Sequence, residues 1–165
     1  MYRVYIADLE SYNNGELEGI WIELPMEYEE LKELIKYNEY AIHDYELPFY
    51  ISEYQNIYVL NSLLNFAEEN NIPGEGLRHI DRIDNIFNFD HTEIKNIWDN
   101  TGTIKALTRK DFAQEYIELL YQEVMEQLPW EVSGSINYEI VYDKLEMTML
   151  ITESREEDLF YYTLK

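Results

Sequence analysis

The sequence contains no cysteine, which excludes disulfides and thiolate metal sites and leaves the redox compartment undetermined. Basic residues are scarce: 12 Lys+Arg stand against 34 Asp+Glu, a formal net charge of −22. Nucleic acid and anionic membrane surfaces are poor partners for such a chain, and basic proteins are good ones. No apolar run approaches the ~20 residues of a membrane span. Met1 to Asp8 alternates polar and apolar residues, unlike a signal peptide, so a cytoplasmic protein is the expectation. There is no Gly-rich phosphate loop, nucleophile elbow or Cys-His set. His43, His79 and His91 lack zinc spacing, and Asp81, Asp84 and Asp90 lack the alternate-residue pattern of a calcium loop. Carboxylate pairs are too abundant to single out an acid–base pair, which needs one carboxyl raised in pKa by burial. The expectation is a protein that is not an enzyme and holds no cofactor and no metal.

What is present argues for a folded chain with a use for its charge. Hydrophobic residues make up 46% of the 165, and aromatics alone 15%, enough apolar surface to build a core despite the charge. Self-repulsion of this size opposes compaction, so its retention points to a role for the field. A generally acidic proteome would give similar totals, but abundant Ile, Tyr, Asn and Phe together with retained lysines fit that origin poorly. The charge is also zoned. Residues 1–60 and 111–165 each carry a net −10, whereas 61–110 carry −2. The expected architecture is α+β, an elongated chain of three small units: an acidic α+β unit over 1–55, a helical middle over 56–106, and an acidic α+β unit over 107–165.

In the first unit, Tyr2 to Ala7 and Gly19 to Leu24 have strand composition, separated by a turn cluster at Ser11 to Gly15. Pro25 suits the first turn of a helix whose apolar face is Tyr28, Leu31, Leu34 and Ile35, and Tyr40 to His43 suits a third strand. Glu27, Glu29, Glu30 and Glu33 crowd the early turns, where the helix dipole favours anions. In the middle, a Ser52–Gln55 capping pattern precedes Ile57, Leu60, Leu64 and Ala67 at helical spacing. Asn70 to Gly76 is a break, and short helices are expected near 77–87, 92–100 and 103–107. The last unit opens with a helix from Thr108, capped with Asp111, to Leu128. Asp111, Glu115, Glu118, Gln122 and Glu126 fall on one stripe of it, and Phe112, Tyr116, Leu120, Val124 and Leu128 on the other side. No Lys or Arg occurs from 111 to 143, whereas a face built for stability interleaves i,i+4 Glu–Lys pairs. Alternation then predicts strands through Ile136, Tyr138, Ile140 and Tyr142, and through Leu145, Met147, Met149 and Ile151, with Leu159 to Leu164 closing a meander. Sixteen tyrosines suit half-buried sheet faces and equally an interface with aromatic anchors among charges.

Two stretches carry a family resemblance. Tyr5-Ile6-Ala7-Asp8-Leu9 followed by Tyr12-Asn13-Asn14-Gly15-Glu16-Leu17-Glu18-Gly19-Ile20-Trp21, and then Glu39-Tyr40-Ala41-Ile42-His43-Asp44-Tyr45-Glu46-Leu47-Pro48-Phe49, resemble the ArdA-type antirestriction proteins over the first third of the chain. The resemblance implies an elongated, three-domain acidic homodimer that imitates bent B-form DNA. It implies occupation of the DNA-binding groove of a type I restriction-modification enzyme, at its methyltransferase core, and carriage on a mobile genetic element. The partner-binding acids expected are Asp8, Glu10, Glu16, Glu18, Glu27, Glu29, Glu30, Glu33, Asp44 and Glu46 at one end, and Asp111, Glu115, Glu118 and Glu126 at the other. Two other readings stand beside this one: an acidic module that inhibits a different basic DNA-binding protein, and a metal-dependent hydrolase built from clustered Asp and Glu.

Overall fold

Val4, Ile6, Ile22, Leu24 and Ile42 alternate with solvent-facing residues along three strands, and burying that one face organises the first half of the molecule. The computed structural model describes residues 1–165 except Leu17, Tyr37 and Asn38. Leu17, part of the first resembling stretch, therefore lies outside the described residues. Strand β1 (Tyr2–Asp8) is central, with β2 (Gly19–Leu24) and β3 (Tyr40–Glu46) antiparallel on either side. The turn cluster between β1 and β2 includes a short helix, α1 (Leu9–Asn13), capped by the Asp8 carboxylate.

Helix α2 (Tyr28–Leu34) starts later than Pro25 suggested. Glu27 is its N-cap, and the preceding chain is fastened elsewhere: the buried Asn61 amide accepts from Met26 N at 2.9 Å and donates to Met26 O at 2.8 Å. Asn61 belongs to α3 (Ile57–Glu69), whose cap is Asn56 and not Ser52. The Asn56 side chain lies next to the first free N–H groups and accepts from Tyr58 and Val59, whereas Ser52 and Gln55 form a turn ahead of it. Helix α4 (Gly74–Asp81), a 3₁₀ turn at Ile86–Asn88 and α5 (His91–Asp99) complete the middle. α5 is closed by a reciprocal Asp90–Glu93 capping box. The expected helix over 77–87 is thus shorter and begins earlier, and Asp81 ends it by accepting from Ile86 N.

Two expectations in the last third are corrected. Residues 103–107 are not helical: Gly102–Lys105 forms strand β4, pairing Ile104 with Phe160, as β-branched Thr103 and Ile104 favour. Residues 138–148 are not a strand pair but helix α8 (Tyr138–Thr148). Asn137 caps it by accepting from Glu139 N and Ile140 N. Tyr138, Tyr142 and Leu145 share one helical face against the core, while Ile140 and Met147 are exposed. Four-residue spacing was hidden inside an apparent two-residue alternation. The second sheet has the order β4-β6-β5, with β5 (Met149–Glu153) and β6 (Leu159–Leu164) antiparallel.

Helix α6 (Arg109–Gln127) begins as expected, with Thr108 Oγ1 accepting from Asp111 N and donating to Asp111 Oδ2. It then breaks at Tyr121 (φ −126°, ψ 27°). Phe112 and Tyr116 are buried, but Leu120 and Val124 beyond them are exposed. A short helix, α7 (Trp130–Ser133), leads from there to α8. The protein is thus α+β, with a sheet near each end and a helical middle. Buried apolar side chains gather in two clusters: one from Val4 to Ile94, shared by the first sheet and the middle helices, and one from Ile104 to Phe160.

Candidate acidic binding surface

The inner face of the first sheet is apolar, so every charge on its strands is pushed outward or to its edges. Register places Arg3 on β1 between Glu23 of β2 and Glu46 of β3, and Tyr5 between Trp21 and Asp44. Arg3 forks onto Glu46 at 2.6 and 2.8 Å and lies over the Trp21 ring. This pairing holds the Glu46 carboxyl below, and the Arg3 guanidinium above, their ordinary pKa values. Both partners are solvent-exposed, so the pair adds little stability. Its effect is to fix one cation at the centre of an otherwise anionic face.

Around this face the expected acids fall into two groups. Asp8 is half-buried at the α1 cap and accepts from Glu10 N and Ser11 Oγ, with exposed Glu18 accepting from the same hydroxyl at 3.2 Å. Glu10, Glu16, Glu27, Glu29, Glu30, Glu33 and Asp44 are exposed. At the other end Asp111 is tied to Thr108, whereas Glu115, Glu118 and Glu126 are exposed on α6. Glu118 and Glu126 accept from Gln114 and Gln122 four residues earlier. The helical stripe is continuous only to Glu118, because the break at Tyr121 re-aims the segment carrying Glu126. Glu23, absent from the expected acids, also lies on the outer face, where its alternation with Trp21 in β2 puts it.

Cations are few where these acids lie. Among the described residues the ion pairs are Arg3–Glu46, Arg78–Glu75 and Lys95–Asp99, so of the expected acids only Glu46 has a cationic partner. Two of the three pairs lie in the nearly neutral middle. Among the described residues no three His, Asp or Glu side chains assemble into a group able to hold a metal ion, and no helix is long and apolar enough to cross a membrane.

The fold and surface are those of an acidic α+β protein with exposed carboxylates on the first sheet, α2 and α6. The description "Antirestriction protein (ArdA)" matches residues 4–154. The chain belongs to the ArdA family of antirestriction proteins. No curated protein sequence matches it.

Proposed function

We propose that the protein acts as a DNA mimic, occupying the DNA-binding groove of a type I restriction-modification enzyme at its methyltransferase core. The observation carrying this reading is the set of exposed carboxylates on the first sheet, α2 and α6, left without cationic partners. A DNA-binding groove offers Lys and Arg for phosphates, and fixed carboxylates meet the same cations without offering a base to read or a bond to cut. Acids three or four residues apart on a helix are about 4.5–6 Å apart along its axis, close to the ~6–7 Å between phosphates of one strand. The protein works by occupancy, with no catalytic step, cofactor or metal, in the cytoplasm of a cell that a mobile element has entered.

In this reading it is an elongated homodimer, each copy carrying one group of acids on the first sheet and α2 and another on α6. Exposed Leu119, Leu120 and Val124, which the C-terminal core leaves uncovered, supply an apolar contact for the second copy. Together the two copies carry twice −22, the charge of about 75 Å of duplex at one charge per ~1.7 Å. The test is binding to a purified type I methyltransferase across a salt series, with and without duplex. Affinity falls steeply as salt rises and duplex competes; a ternary complex with duplex still seated in the groove refutes mimicry.

A further inference from the structure

The two apolar clusters are joined covalently through Asn100 and Thr101, and a second, non-covalent fastening lies beside that link. One face of α4 carries Glu75, Arg78 and His79, with Arg82 at its C-cap, and all four meet the C-terminal sheet or the turn between β5 and β6. His79 is fully buried. Its Nδ1 lies 2.8 Å from Thr152 Oγ1 on β5, and its Nε2 lies 2.8 Å from Thr163 Oγ1 on β6. Arg82 donates to Ile151 O and Thr152 Oγ1, Arg78 donates to Glu153 O, and Glu75 accepts from Arg155 N. Trp98 of α5 and His79 both lie against the Tyr161 ring.

The donors run in one direction. Because Thr101 spends its hydroxyl hydrogen on Ile97 O, Thr163 donates to Thr101 Oγ1 at 3.0 Å and can only accept from His79 Nε2–H. That leaves Nδ1 to accept from the Thr152 hydroxyl, whose Oγ1 also accepts from Arg82. A neutral histidine satisfies every member of the chain, and a completely satisfied buried network specifies one geometry.

We propose that His79 is a positioning residue: its clasp on Thr152 and Thr163 fixes the angle between the two halves of the molecule, so that the acids of both ends present one continuous track to the groove. This rests on the mimicry reading, because only a partner that engages both ends senses the angle. A loose joint leaves each half its own carboxylates but makes the second engagement depend on chance orientation, which lowers avidity.

The absence of cysteine makes the test direct, since introduced thiols at Ser62 on α3 and Lys144 on α8, both exposed, are the only sites for spin labels. In the Thr152→Val, Thr163→Val double variant, which keeps side-chain shape, the label-to-label distance distribution broadens and inhibition of a type I restriction enzyme weakens about tenfold. Thr152→Ser with Thr163→Ser keeps both hydroxyls and restores wild-type behaviour. Should the double variant not fold, Thr163→Val alone is read the same way. A distribution as narrow as wild type, or a broad one with undiminished inhibition, overturns the proposal. If the wild-type protein itself does not inhibit, mimicry is wrong, and the distance distribution alone then decides whether the clasp holds the joint.

Discussion

Acidification should weaken this protein through one buried ring, and the size of the effect follows from where His79 sits. Burial first, then the neighbouring Arg82 and Arg78 cations, push its pKa down from the ordinary 6.5 to about 4. The native state therefore refuses a proton that the unfolded chain accepts. The contribution is complete above pH ~6.5 and is lost as pH falls towards 4, because over that window the unfolded state binds more protons. At pH 5 an unfolded histidine is almost wholly protonated, whereas the native one is about one-tenth protonated. The resulting loss between pH 7 and pH 5 is about 2 kcal/mol.

The background runs the other way, since protonating carboxylates as pH approaches the isoelectric point near 4.2 relieves self-repulsion. Comparing wild type with His79→Gln removes that background, which both proteins share. In urea titrations at pH 7, 6 and 5, wild type should exceed the variant in stability at pH 7, with the gap narrowing by about 2 kcal/mol by pH 5. Parallel stability curves from pH 7 to 5, or an imidazole NMR titration of His79 centred near 6.5, would refute the claim that the ring is held neutral by its surroundings.

Three further outcomes are expected. Single Glu→Gln changes at Glu27, Glu30, Glu115 or Glu118 should alter inhibition less than about twofold, each being an exposed ion pair in the complex, while combined changes across one group weaken it progressively; one acid whose removal abolishes inhibition in a folded protein would contradict distributed charge. Phe112, fully buried with the rings of Phe160, Tyr142, Tyr116 and Tyr162 within 6.0 Å, should cost about 3–5 kcal/mol on replacement by alanine, read as loss of near-ultraviolet dichroism in thermal melts; a cost under about 1 kcal/mol is incompatible with its central position. Replacing Leu119, Leu120 and Val124 together with serine should shift the mass in light scattering from dimer to monomer, and an unchanged mass would place the contact elsewhere.

Legibility followed how far each element depends on distant contacts. β1 to β3 were readable because one face is buried and the other wet, so Val4, Ile6, Ile22 and Leu24 alternate with charges and aromatics. The start of α6 was readable because Thr108 and Asp111 cap it locally. α8 was not, because Tyr138 and Tyr142 satisfy a two-residue and a four-residue period at once, and the Asn137 cap together with packing of Tyr142 against Phe112 selects the helix. The same holds for β4, whose four residues become a strand by pairing with β6, over 50 residues later in the chain. The acids of the candidate surface were legible as composition and zone, but not as partnered or open. The pairing of Arg3 with Glu46 depends on strand register. His79 shows only a lack of zinc spacing in the sequence, because its partners Thr152 and Thr163 lie 73 and 84 residues away. The cue was nevertheless present: Glu75, Arg78, His79 and Arg82 share a helical face in a zone otherwise nearly neutral.

The placement of the few bases ties the fold to the proposed role. Arg78 and Arg82 turn inward onto Glu75 and the β5 backbone, where hydrogen bonds from a charged donor are worth more than exposed pairs. They fasten the two halves and leave the terminal acids unneutralised. Had those two cations been spread over α2 and α6, the same net charge would remain, but as i,i+4 pairs with internally satisfied carboxylates. Such a surface would have little left to offer a basic groove. Open carboxylates at both ends and cations gathered at the joint are therefore one arrangement. The repulsion it leaves is opposed by an aliphatic core in the first half and an aromatic-rich core in the second, and the angle at which the charge is presented is set by a neutral histidine between two cations.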